Sequence, residues 1–201
     1  MNNMEQIKEK SLNNRTRLIG GLILLAFVFY GGGSALVSNG QQTLGLVLML
    51  INSAVVISIG VLIRSIIFKD APFSANVYLV TRLAEGLLLG TGAIVWILNS
   101  QNFNGVELNT TLYRLGMIVL GLGSIGFCRW LIVTRAVHVG LAWLGLVGYP
   151  LLAMAMFAKF AGSEYWATML LIPGAIFELT FGLSLLFVGL RSPLQLVKST
   201  Q

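Results

Sequence analysis

The chain has 201 residues, 56% of them hydrophobic and 10% charged, and its mean hydropathy is +0.85. A soluble domain carries about 25% charged residues, so this composition excludes a water-solvated globular domain and a disordered chain alike. The single cysteine, Cys128, excludes a disulfide framework. The net charge of +6 does not point to nucleic acid, because the basic residues lie at the edges of apolar runs.

A helix rising 1.5 Å per residue needs roughly 20 apolar residues to cross a hydrocarbon core of about 30 Å. Residues 1–17 are predicted to form a basic cytoplasmic segment that fixes topology, solvated rather than lying on the leaflet. Six runs of spanning length follow, from Leu18 to Ser38, Thr43 to Leu62, Val77 to Asn99, Leu112 to Thr134, Val139 to Lys159 and Trp166 to Leu190. The connections have turn compositions, such as Ser38-Asn39-Gly40-Gln41-Gln42, Phe68-Lys69-Asp70-Ala71-Pro72, residues 100–105 and Gly162-Ser163-Glu164. The expected fold is therefore all-α: an integral membrane bundle of six transmembrane helices over residues 18–190, with a cytoplasmic tail over 191–201. Helices are required because lipid offers no partner to open backbone groups, and the runs lack the alternation of a barrel. The first run is longer than a signal-peptide core and is followed by another span, so it reads as an uncleaved helix.

With the N-terminus inside, Lys8, Lys10, Arg15, Arg17, Arg64, Lys69, Arg135, Arg191 and Lys198 lie on the cytoplasmic side, with Arg82 and Arg129 near it. Only Arg114 and Lys159 fall outside, so both termini are expected in the cytoplasm. Asn109-Thr110-Thr111 is a glycosylation sequon in a predicted outer loop and reads as a chance match.

Several motifs lack the context their chemistry needs. Gly121-Leu122-Gly123-Ser124-Ile125-Gly126 matches the dinucleotide fingerprint but lies inside an apolar helix, where small residues let backbones approach. Ser124 is some fourteen residues from the only histidine, His138, at another depth, which removes a Ser/His pair. One His and one Cys supply no metal or haem ligand set, so no metal and no cofactor is expected. Cys128 reads as a small core residue, and Met154, Met156, Phe157 and Phe160 as core or lipid contact.

Two carboxylates stand out. Glu85 in the third span and Glu178 in the sixth lie well inside apolar runs, and a short side chain cannot snorkel far. An intramembrane charge costs about 2.5–3.5 kcal/mol at the helix centre, so each should face the interior, be paired or be protonated. Arg82 precedes Glu85 by three residues and, with Gly86 and Gly90, forms one stripe; Gly174, Glu178 and Gly182 repeat the spacing of four. The third and sixth helices are therefore expected to cross closely through these faces. Arg82 and Arg129 should enter about 7–8 Å from the cytoplasmic side and balance the glutamates in that half of the bundle. Tyr78, Asn52 and Tyr149 are candidate hydrogen-bonding partners, and Gly174 and Gly182 candidate lining residues. The same constellation could serve as an ion-pair network that fixes helix register. Pro150 and Pro173 interrupt the fifth and sixth spans and read first as kinks. Two sets of three spans would make any internal repeat an inverted one.

The segments Tyr78-Leu79-Val80-Thr81-Arg82-Leu83-Ala84-Glu85-Gly86 and Leu112-Tyr113-Arg114-Leu115-Gly116, and Pro173-Gly174 with Glu178, resemble bacterial membrane proteins grouped as domain of unknown function 4386. The resemblance runs from the first helix to Arg191. It implies a six-span bacterial inner-membrane protein and carries neither an activity nor catalytic residues. The expected function is non-enzymatic: binding of a lipid-like or hydrophobic ligand, or service as an accessory membrane subunit, through Arg82, Glu85, Arg129 and Glu178. The alternative is a small proton- or cation-coupled carrier using the two glutamates, with an intramembrane enzyme third. Expected partners are membrane lipids and a second copy or another membrane protein, and no nucleic acid.

Overall fold

The structure is a computed structural model and describes residues 3–98 and 103–190. It consists of helices and turns: α1 (Asn3–Ser38), α2 (Gln42–Ile67), α3 (Pro72–Leu98), α4 (Phe103–Gly123), α5 (Ile125–Thr134), α6 (Val139–Phe160) and α7 (Glu164–Phe187). Helices α4 and α5 make one span, since the i to i−4 bonds of Ser124 and Cys128 carry the ladder across the break. Six helical stretches, Lys10–Ser38, Gln42–Ile67, Pro72–Leu98, Gly105–Thr134, Val139–Phe160 and Glu164–Phe187, are long and apolar enough to cross a membrane. The outer faces carry large apolar side chains such as Val28, Val61, Val80, Leu87, Val133 and Phe187. That coat suits lipid and not water. Tight turns separate the spans, two of them built on Gly40 and Gly162 with φ of 86° and 78°, values that a residue with a Cβ rarely adopts.

Each span packs on its sequence neighbours, α1 on α2, α2 on α3, α3 on α4, α4 and α5 on α6, and α6 on α7, while α7 returns to α1. The six spans thus close a ring in chain order, which places α3 opposite α7 and α1 opposite α4. One end of the ring carries Arg64, Lys69 and Arg135 and is called the basic end below; Arg114, Lys159 and Glu164 lie toward the other.

Two expectations are corrected. The close crossing of the third and sixth spans does not occur: α3 and α7 face each other across the interior, and their glycines pack on adjacent helices. Gly86 lies against Ser53 and Ile57 of α2, Gly174 against Gly148 of α6, and Gly182 against Ile23 and Leu24 of α1. The fourth helix begins at Phe103 instead of Leu112, so Asn109 of the sequon lies buried on α4, against Gly92, and not in a loop. Within the N-terminal segment, α1 starts at Asn3 and runs unbroken into the first span, with Thr16 buried near Gly189. The turn residues 99–102 and the tail 191–201 lie outside the described residues.

Candidate functional site

Glu85 is the central residue of α3, and Arg82 lies one turn before it on the same buried stripe as Tyr78 and Leu89. Because α3 begins at Pro72, Arg82 lies about 15 Å along the helix, twice the depth expected from the apolar run alone. The cluster therefore occupies the middle of the bundle and not its basic end.

The guanidinium group organises the interior. Its Nη1 donates to Glu85 Oε2 at 2.9 Å, its Nε to Tyr78 Oη at 2.9 Å, and its Nη2 to Glu178 Oε1 at 3.4 Å across the ring. Tyr149 Oη, from α6, donates to the same Glu178 oxygen at 2.9 Å. Two helices thus meet at one planar fork whose donors point in fixed directions, a geometry a lysine could not reproduce, and α6 joins them through Glu178. Arg82 and Glu85 are buried, whereas the Glu178 side chain keeps 20% of its exposure.

Toward the basic end the cluster rests on aromatic rings. Tyr78 meets Phe127 at 4.8 Å, Phe127 meets Phe181 edge-on at 5.7 Å, and Phe181 stacks on Phe177, which in turn meets Tyr149. On the other side the interior opens into a cavity of about 210 Å³. Ile23, Ala26 and Phe27 of α1, with Val56 and Ile59 of α2, form apolar walls. Arg82, Glu85, Glu178 and Asn52 supply polar atoms. Tyr30 and Tyr113, from opposite sides of the ring, stack at 5.1 Å and also line the space. Asn52 is 2% exposed, and its Oδ1 has no hydrogen-bond partner among the described residues.

Of the residues expected at the site, Arg82, Glu85, Glu178 and Asn52 line the cavity, and Tyr78 and Tyr149 bond to its charged groups. Arg129 does not join them. Phe127, Cys128 and Leu131 occupy the inward face of α5, which turns Arg129 outward, where it is exposed. Its long stem can reach the membrane edge from there. Gly174 and Gly182 do not line the cavity either; they allow close contact of α7 with α6 and α1. Tyr30, Tyr113 and Met117 went unread as lining residues. The signal for the tyrosines is their position inside apolar spans, and α4, beginning at Phe103, carries Tyr113 deeper than a helix starting at Leu112 would.

The other motifs resolve structurally. Gly121 lies against the Tyr149 carbonyl and Gly123 against the Thr81 hydroxyl, so the dinucleotide-like run is a helix contact. Ser124 is buried, while His138 caps α6 by accepting from the Gly140 N–H. Among the described residues no group of three His, Cys, Asp or Glu could hold a metal ion.

Two substitutions report on the hydrogen bonding. Tyr149→Phe removes a bond to a carboxylate and is expected to lower stability by about 1.5 kcal/mol, read as an earlier thermal transition in micelles. Asn52→Leu replaces an unsatisfied buried acceptor by a side chain of similar size and should raise stability by about 1 kcal/mol in the same measurement.

The arrangement defines a class: a ring of six apolar helices enclosing a partly polar cavity at mid-span. Comparison with protein families, curated proteins and solved structures finds no match to the chain.

Proposed function

We propose that the chain is a non-enzymatic multi-pass protein that binds a lipid-like or hydrophobic ligand in the central cavity. The observation that carries this reading is the cavity itself: apolar walls over a charged floor, at the depth where acyl chains and apolar solutes lie. A network that served only to fix helix register would gain from closing such a space, since an empty void forfeits packing. The excess of Lys and Arg at one end favours both termini on the cytoplasmic side, and the resemblance to domain of unknown function 4386 favours a bacterial inner membrane. The Ser124 hydroxyl, which has no hydrogen-bond partner among the described residues, lends no support to an enzymatic reading.

Native mass spectrometry of the full chain in mild detergent tests the proposal. The wild-type protein should retain an apolar or amphipathic molecule, and Ala26→Phe, which fills the cavity, should lower its occupancy at least tenfold while unfolding at the same temperature. A wild-type protein that carries no added mass and takes up no apolar solute would overturn the reading.

The carrier reading draws on one further observation: the 3.4 Å contact of Arg82 with Glu178 is the longest in the cluster and joins helices that do not pack along each other. Its test is flux into liposomes, which Glu178→Gln should abolish without loss of folded protein.

A further inference from the structure

The polar atoms of the cavity do not balance. Arg82 brings one positive charge, and Glu85 and Glu178 bring two carboxylates, so the ionised cluster is one positive charge short. The hydrogen bonds show the same deficit. Arg82 spends Nε on Tyr78, Nη1 on Glu85 Oε2 and Nη2 on Glu178 Oε1. Among the described residues no group donates to Glu85 Oε1 or Glu178 Oε2, and Asn52 Oδ1 is buried with no donor of its own. Three oxygens around the cavity thus stand as open acceptors, two of them on carboxylates. Such a site calls for a group that is positive and rich in donors.

A proton on one carboxylate would settle the charge, yet it would leave Asn52 and the space unfilled. A bare inorganic cation would have apolar walls around most of its surface. An –NH3⁺ head has three donors, the number of free acceptors, and the stacked faces of Tyr30 and Tyr113 offer a further attraction for a cation. The α1 wall supplies a route for a chain attached to that head. Ile23, Phe27, Tyr30 and Gly31 follow one helical stripe along the cavity, and Phe27 is 38% exposed, so the wall is open beside α1. Gly31 beside it has nothing within 4 Å of where a Cβ would stand.

We infer that the cavity recognises a primary alkylammonium, with the ammonium between Glu85, Glu178 and Asn52 and the alkyl chain along the α1 stripe. This rests on the ligand-binding reading above and specifies its ligand. The head can belong to a free amphipathic amine or to the ethanolamine group of a lipid.

The test is titration of the full-length protein in dodecyl maltoside with octylammonium, octyltrimethylammonium and 1-octanol at constant ionic strength, read by native mass spectrometry and by the thermal transition. Octylammonium should bind one per chain, at least tenfold tighter than the other two. Glu178→Gln and Asn52→Leu should each weaken it at least tenfold and leave octanol within threefold. Repetition in phosphatidylcholine nanodiscs with and without phosphatidylethanolamine separates the sources: competition assigns the head to the lipid, and its absence to a free amine. Equal binding of octylammonium and octanol would overturn the cationic specificity and leave the cavity reading standing, whereas binding of neither would overturn both. Should Glu178→Gln fail to fold, Asn52→Leu decides, and unchanged octylammonium affinity there would also overturn the inference.

Discussion

Replacing Arg82 with methionine should cost the folded protein about 3–5 kcal/mol, because removal of one partner from a buried ion pair leaves uncompensated charge behind. Two carboxylates lose their donor at once. Glu85 is 2% exposed and has no other donor among the described residues, while Glu178 keeps its bond from Tyr149 and some contact with the cavity. Glu85 therefore accounts for most of the loss. Methionine retains the aliphatic stem that packs over Gly60, so the effect reads the charge and not a void. Adding Glu85→Leu to Arg82→Met should recover more than half of the lost stability, since a paired set of apolar side chains can replace a buried ion pair at little cost. Arg82→Lys should fall between wild type and Arg82→Met, because a point charge cannot serve Tyr78, Glu85 and Glu178 together. Reversible unfolding in mixed micelles measures all four proteins. An Arg82→Met variant as stable as wild type would show that the cluster contributes nothing to the fold.

The residues that were legible in the sequence share one property: they violate their surroundings. Glu85 and Glu178 are conspicuous in apolar runs, and the three-residue step from Arg82 to Glu85 puts the pair on one helix face. What the sequence left open is rotation and partnership. Arg129 lies nearer the basic end than the cluster and on the wrong face, because Phe127, Cys128 and Leu131 fix the inward side of α5. Depth is counted along the chain, but rotation depends on which neighbours the helix meets. The glycine stripes failed in the same way. They announce close approach without saying to what, and Gly86, Gly174 and Gly182 approach adjacent helices, leaving the facing helix at the distance of two side chains. That distance makes room for the cavity. Had α3 and α7 crossed closely, Arg82 and Glu178 would have met with no space beside them. A hydropathy count starts the fourth helix late because Glu107 and Asn109 are polar, although Asn109 is buried against Gly92.

Closure of the ring depends on α1 reaching α7, and Gly20 is where that contact is tightest. A Cβ at Gly20 would stand 2.5 Å from the Gly182 carbonyl oxygen and 2.6 Å from the Leu186 nitrogen, both backbone atoms that cannot rotate away. Neighbouring Gly21 has nothing within 4 Å. Gly20→Leu should therefore destabilise the bundle by about 3 kcal/mol through overpacking, and Gly21→Leu should stay within about 0.5 kcal/mol of wild type. The same substitution carries a functional consequence, since Ile23, Ala26, Phe27 and Tyr30 make the cavity wall on α1. A helix pushed off α7 takes that wall with it and separates Tyr30 from Tyr113. Spin labels at positions 30 and 113 should give one narrow distance in an otherwise native chain and a longer, broader one when Gly20→Leu is added, with Gly21→Leu behaving as native. An unchanged distance in both backgrounds would mean that α1 holds its place without the glycine contact, through its packing on α2.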